Sequence, residues 1–92
     1  MKTRIGKVTH FYNRISVAVL ELERDLKVGD AILVLGHTTD LEQRVNSMEI
    51  EHQKVERAAA GGEVALHVLG PVRAGDEVFL VEGETRSTFE PG

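Results

Sequence analysis

The chain has 92 residues, no cysteine and a formal charge of −4 at pH 7. That length makes one domain with a modest core, and the lack of cysteine excludes disulfides, thiolate chemistry and cysteine zinc sites. The charge is uneven, because residues 1–14 carry Lys2, Arg4, Lys7 and Arg14 with no acid, while seven basic and fifteen acidic residues leave −8 on residues 15–92; broad, sequence-blind binding of nucleic acid, which needs many cations against phosphate, is therefore disfavoured.

The basic start Met1-Lys2-Thr3-Arg4 runs into Ile5-Gly6-Lys7 where a signal peptide would have its apolar stretch. The expectation is a soluble cytoplasmic protein with no signal peptide and no membrane-spanning segment. Short runs of Val, Ile and Leu, punctuated by Gly, Asp or Asn at roughly barrel-like spacing, predict strands over 4–9, 15–22, 31–35, 43–51, 63–69 and 77–81. Val64, Leu66 and Val68 alternate with Ala65, His67 and Leu69, so one face of that strand is core, as it is for Val78 and Leu80. Ile15, Val17, Ile32 and Val34 complete the predicted core. Two strands break phase, where Val19 hands over to Leu20 and where Val45 hands over to Met48, and a β-bulge that bends a closing barrel accounts for such a shift. Residues 55–60 carry the only helical character, enough for a single turn before Gly61-Gly62. The last ten residues, 83–92, lack periodicity and are expected to fray, with Phe89 the one side chain able to dock.

Two turn signals stand out. Val28-Gly29-Asp30 and Ala74-Gly75-Asp76 each open an apolar run. A type II turn needs a positive φ at its third position, which glycine supplies, and the aspartate that follows can accept hydrogen bonds from nearby backbone amides.

Reactive constellations are scarce. The four histidines, His10, His37, His52 and His67, sit in no tight ligand motif, and no metal site or cofactor is expected; were zinc held, His52 and His67 would be its first ligands, with Glu63 beside them. Gly36-His37-Thr38-Thr39-Asp40 gathers a base, hydroxyls and an acid in one loop, but catalytic triads are assembled by the fold rather than by sequence neighbours. No phosphate-binding Gly-x-x-x-x-Gly-Lys-Ser/Thr run is present, so no nucleotide binding or hydrolysis by this chain is expected. Lys2, Arg4, Lys7, His10, Phe11, Tyr12 and Arg14 interleave positive charge with aromatic rings, the mixture that holds single-stranded RNA through phosphate contact and base stacking.

The run Gly6-Lys7-Val8, Leu26-Lys27-Val28-Gly29-Asp30, Ile32 to Gly36, Val45, Met48-Glu49-Ile50, Ala60-Gly61, Val64 and Arg73-Ala74-Gly75-Asp76 resembles domain 2 of elongation factor Tu and other translational GTPases. Residues 15–19 and 36–40 resemble small stand-alone translation elongation factor-like proteins. A related barrel also ends collagenase-like peptidases, where the chemistry lies elsewhere. The resemblance implies an adenosine pocket for the tRNA 3′ end, in which Glu49 and Val64 match the family's residues. His52, Glu63 and His67 stand where that pocket has an arginine, an asparagine and an apolar side chain.

These readings together predict an all-β chain, a single closed six-stranded β-barrel of the translation-factor domain 2 type over 1–82. Its expected role is a non-enzymatic binding module contacting RNA (tRNA or ribosomal) or a translation-related protein. The alternative is a protein-interaction barrel that supplies in trans a domain absent from a partner enzyme, with no RNA role.

Overall fold

The computed structural model describes residues 2–82; the tail expected to fray over 83–92, with Phe89, lies outside them. The described residues are all β. In chain order they form β1 (Lys2–Tyr12), β2 (Val17–Leu22), β3 (Leu26–Lys27), β4 (Ala31–Leu35), β5 (Asp40–Arg44), β6 (Met48–Ile50), β7 (Gln53–Val55), β8 (Arg57–Ala58), β9 (Glu63–His67) and β10 (Glu77–Val81). Eight of these make one sheet in the order β5-β4-β10-β1-β2-β9-β6-β7, and β3 pairs with β8. The expected closed six-stranded barrel is corrected accordingly: the hydrogen-bonded ladder is open, with β5 and β7 at its edges. The predicted strand over 43–51 breaks because Val45 turns inward and exchanges backbone hydrogen bonds with Gly29 and Asp30 at 2.9 and 2.8 Å, separating β5 from β6. The helical turn expected over 55–60 is instead the end of β7 and the short β8, held to β3 through the Leu26–Ala58 pair.

β1 is the spine of the sheet, paired along one edge with β10 and along the other with β2. Its register slips twice, between Arg4 and Gly6 against β10 and between Val8 and His10 against β2. Each slip is a bulge that inserts one extra residue and swaps the faces of everything after it. The Thr9 hydroxyl donates to the Val19 carbonyl at 3.2 Å and fixes the second slip. Gly6, between the two, lies so close to β2 that a Cβ there would stand on the Glu21 carbonyl oxygen. The phase breaks seen in the sequence at β2 and at Val45 thus have other causes than bulges. β2 is regular, with Ala18, Leu20 and Leu22 inward and Val17 and Val19 outward.

The inner face is a single core of Ile5, Val8, Leu20, Leu22, Leu26, Ile32, Val34, Met48, Val64, Leu66, Val68 and Val78, with Phe11 and Leu80 packed against it. Ile15 and Val17, predicted core, are not part of it: Ile15 is 63% exposed in the loop after β1, and Val17 is half-buried on the outer face. Alternation alone could not separate these residues from Ala18 and Leu20, because both faces of β2 are apolar.

No helix covers the inner face among the described residues, so the sheet must curl to bury it. One side chain spans the place where its strands come round. Gln43, on edge strand β5 and 6% exposed, donates to the His67 carbonyl at 3.1 Å and accepts from the Leu69 amide at 2.7 Å. Those are the partners a neighbouring strand would supply, and a carboxamide presents the same donor and acceptor as a peptide. Replacing Gln43 by leucine leaves two partly buried backbone groups without their partner, with an expected loss of about 1–3 kcal/mol in urea unfolding, smaller than or similar to the loss of about 2–5 kcal/mol expected for Leu66→Ala in the core.

The two turn signals fold alike. Gly29 and Gly75 have φ of 99° and 97°. Asp30 and Asp76 each close the turn twice, the backbone amide donating to the carbonyl three residues earlier and carboxylate Oδ2 accepting from that residue's amide, at 3.0 Å from Lys27 and 2.8 Å from Arg73. Alanine at Gly29 or Gly75 meets no steric clash but must adopt a left-handed backbone, so each variant is expected to lose roughly 1 kcal/mol in the same unfolding assay.

Candidate functional site

The two bulges of β1 decide which side chains share the outer face. Strict alternation cannot put Arg4, Lys7, His10 and Tyr12 on one side of a strand; with an extra residue at each slip, all four face out. Cross-strand register then sets three rows, since directly opposed residues share a face. Tyr12, Val17 and His67 form the first, and His10, Val19, Ala65, Glu49 and Lys54 the second. Glu77, Lys7, Glu21 and Glu63 form the third.

The first two rows enclose an apolar hollow of about 470 Å³, floored by Val17, Val19 and Ala65 and walled by Tyr12, Ile15, Glu49, His52 and His67. Tyr12 and Ile15 are 48% and 63% exposed. Tyr12 stacks on His10 with ring centroids 5.2 Å apart. The Asn46 amide donates to His67 Nδ1 at 3.1 Å, which fixes that nitrogen as acceptor and leaves Nε2 to carry the hydrogen. A second, wider hollow of about 860 Å³ adjoins it, lined by Glu49, Glu51, His52, Glu63 and the chain from Ala58 to Gly62. Glu49, His52 and Ala65 line both.

The turn between the hollows is unusual. Ile50 and Gln53 are paired, and the two residues linking them, Glu51 and His52, have φ of 52° and 67°. That is the type I′ hairpin geometry, which normally selects Asn-Gly because both central residues are left-handed.

The residues singled out from sequence divide between the faces. Glu49, His52, Glu63 and His67 meet on the outer surface, whereas Val64 is 1% exposed and belongs to the core. Of the basic and aromatic set, Lys2, Arg4, Lys7, His10 and Tyr12 face outward and Arg14 lies in the exposed loop after β1. Phe11 points the other way, against the core. The cations are also largely engaged by neighbours. Arg4 bonds Glu23 at 2.7 Å and lies 3.7 Å from Glu77, Lys7 lies 3.9 Å from Glu21, and Lys2 sits 4.7 Å above the Phe79 ring. The Glu23 hydrogen bond holds the pKa of the Arg4 guanidinium above its ordinary value, against the opposing effect of desolvation and helped by the charges of Glu23 and Glu77. No group of three or more His, Asp or Glu side chains converges as a metal-binding set among the described residues. Ile15, Val17 and Val19 were absent from any predicted site. The signal for them was the apolar run over 17–20, directly after Ile15-Ser16, which marks a strand apolar on both faces.

No protein-family model matches the chain. An uncharacterized protease of Methanocaldococcus jannaschii is 46% identical over 82 residues, which are 88% of this chain and 20% of that protein. A collagenase of Porphyromonas gingivalis is 35% identical over 80 residues, 85% of this chain and 22% of its own length. Among solved structures, the C-terminal domain of a Geobacillus thermoleovorans "putative U32 peptidase" has a TM-score of 0.79 at 15% identity, covering 85% of this chain and 91% of that one. The last likeness is one of fold. The chain spans about a fifth of the length of the curated relatives it matches.

These matches overturn the resemblance to translation elongation factors. The similarity falls on protease-named proteins and on a peptidase's C-terminal domain. The residues that carried the resemblance are turn glycines and alternating apolar side chains, and these follow from strands and type II turns whichever family uses them.

Because Tyr12 and Ile15 stand outside the core, Tyr12→Ala and Ile15→Ser are each expected to change unfolding stability by no more than about 0.5 kcal/mol. Chemical denaturation of the two variants checks that the hollow's rim can be altered without disturbing the fold.

Proposed function

We propose that this chain is a non-catalytic protein-interaction domain that serves a partner enzyme, docking through the outer hollow of β1, β2, β6 and β9. The observation that carries this reading is the placement of Val17, Val19, Ala65, Tyr12 and Ile15 together on a solvent face of the sheet. Apolar side chains gathered on an outer face, with aromatic and aliphatic anchors at the rim, suit a macromolecular contact better than reaction chemistry. The relatives support it from another direction. They are named as a protease and a collagenase, and the portion of each that aligns with this chain is about a fifth of its length, so the role inferred here is that of an accessory part beside a larger enzyme. The only imidazole on the hollow's far wall with a fixed partner, His67, is bonded to Asn46 rather than to an acid that would prime it as a base. Contact with RNA through the amino-terminal cations has less behind it, since Arg4 and Lys7 face carboxylates at 2.7 to 3.9 Å.

A photo-cross-linking amino acid at exposed Ile15 tests this in cells that make the protein. The expected adduct joins the chain to a hydrolase-like polypeptide and disappears when Val17→Asp is added. The purified chain is expected to release no fragments from labelled gelatin or casein. Cross-links to RNA alone, no adduct at all, or hydrolysis that Val17→Asp abolishes would each overturn the reading.

A further inference from the structure

The rim of the docking face is acidic. Glu49, Glu51 and Glu63 line the wider hollow with no lysine or arginine among its walls, and the cations of the adjoining loop and strand, Arg14 and Lys54, line neither hollow. Among the described residues, none of the three carboxylates forms an ion pair within 4 Å. Glu63 also lies directly opposite Glu21, a like-charged cross-strand pair relieved on one side only, by Lys7. Lys54 is the cross-strand neighbour of Glu49, yet three carboxylates against that one cation leave an apolar floor with an acidic edge, which has a definite complement.

Backbone strain gives a second, independent observation at the same place. Among the described residues, the non-glycine positions with positive φ are Ser16, Glu51 and His52. Two of these are consecutive, in the turn that overhangs both hollows. Asn-Gly would adopt that turn with less strain. The turn instead presents an acid and an imidazole to the groove.

We propose that the face takes a basic, partly apolar segment of the partner polypeptide, with aliphatic or aromatic side chains on Val17, Val19 and Ala65, its lysines or arginines against Glu49, Glu51 and Glu63, and Glu51-His52 as the recognition turn. This rests on the docking reading above and names the partner's chemistry. Charge disfavours the other occupants of such a face. A second copy meeting it across a two-fold axis would add an equal number of carboxylates to the same interface, and nucleic acid would set phosphates against them.

The test uses the isotope-labelled chain and two synthetic decapeptides that share their leucines and phenylalanine but carry either lysine or glutamate between them. The lysine peptide is expected to shift the amides of Glu49, Glu51, His52, Ala65 and His67 saturably, and the glutamate peptide to leave them in place. Glu51→Asn with His52→Gly is expected to raise the urea midpoint and weaken the lysine peptide at least tenfold. Glu49→Gln with Glu63→Gln is expected to weaken it without that gain in stability. Equal response to both peptides, lysine-peptide shifts spread away from this face, undiminished affinity in both double variants, or concentration-dependent shifts without peptide would overturn the proposal. If the Ile15 cross-link captures a polypeptide while the lysine peptide does not bind, the charge assignment fails and the docking reading stands; if neither occurs, the docking reading fails with it.

Discussion

A single carboxamide carries the constraint on which the rest of this fold depends. A sheet with one apolar face and no covering helix has to bury that face against itself, and here the open ladder leaves the end of β9 without a strand on one side. Gln43 occupies that gap, with its donor on the His67 carbonyl and its acceptor on the Leu69 amide. The same side chain also donates to the Arg44 carbonyl at 3.2 Å, just before the chain leaves β5 for β6. Val45 then tucks in against Gly29 and Asp30. The seam is therefore held by one side chain and one crossing residue, and the core of Ile32, Val34, Leu66 and Met48 lies beneath it.

The outer face follows from the bulges of β1. Without the slips at residues 5 and 9, the register of β1 would turn either Arg4 or Lys7 inward, and either His10 or Lys7. With them, the basic and aromatic side chains of β1 meet the acids of β2 and β10 and the rings and aliphatics of β2 and β9. Arg4 and Lys7 then contribute little to stability, as exposed ion pairs do. Their larger effect is on charge distribution, because Arg4, shared by Glu23 and Glu77, and Lys7, beside Glu21, offset two of those three negative charges and have no ion pair with Glu49, Glu51 or Glu63.

Local chemistry was legible in the sequence and long-range register was not. The two Gly-Asp turns, β4 and β10 stand where the residues alone placed them, because each is decided within a few positions. Register depends on partners. Thr9 and Ile5 look like ordinary strand residues, and only pairing with β2 and β10 makes them the extra ones. In β2, Val17 reads as core ahead of Ala18, since β-branched residues suit either face of a pleated strand. Ala18 is inward because it lies between Phe11 and Leu66 in the cross-strand row, where a larger side chain has less room. Misplacing Val17 in the core and missing the hollow are thus one error.

The candidate site is also where local rules are broken together. Positive φ without glycine occurs among the described residues at Ser16, Glu51 and His52, all beside the hollows, while the two Gly-Asp turns away from them have Gly29 and Gly75. Two of the four large apolar side chains left exposed among the described residues, Tyr12 and Ile15, are on its rim. The like-charged pair Glu21–Glu63 lies on the same face. Scattered singly, these features would need no common cause. Their convergence on one outer surface, over a core that otherwise obeys alternation and turn chemistry, is what a binding face looks like when stability is secured elsewhere in the sheet.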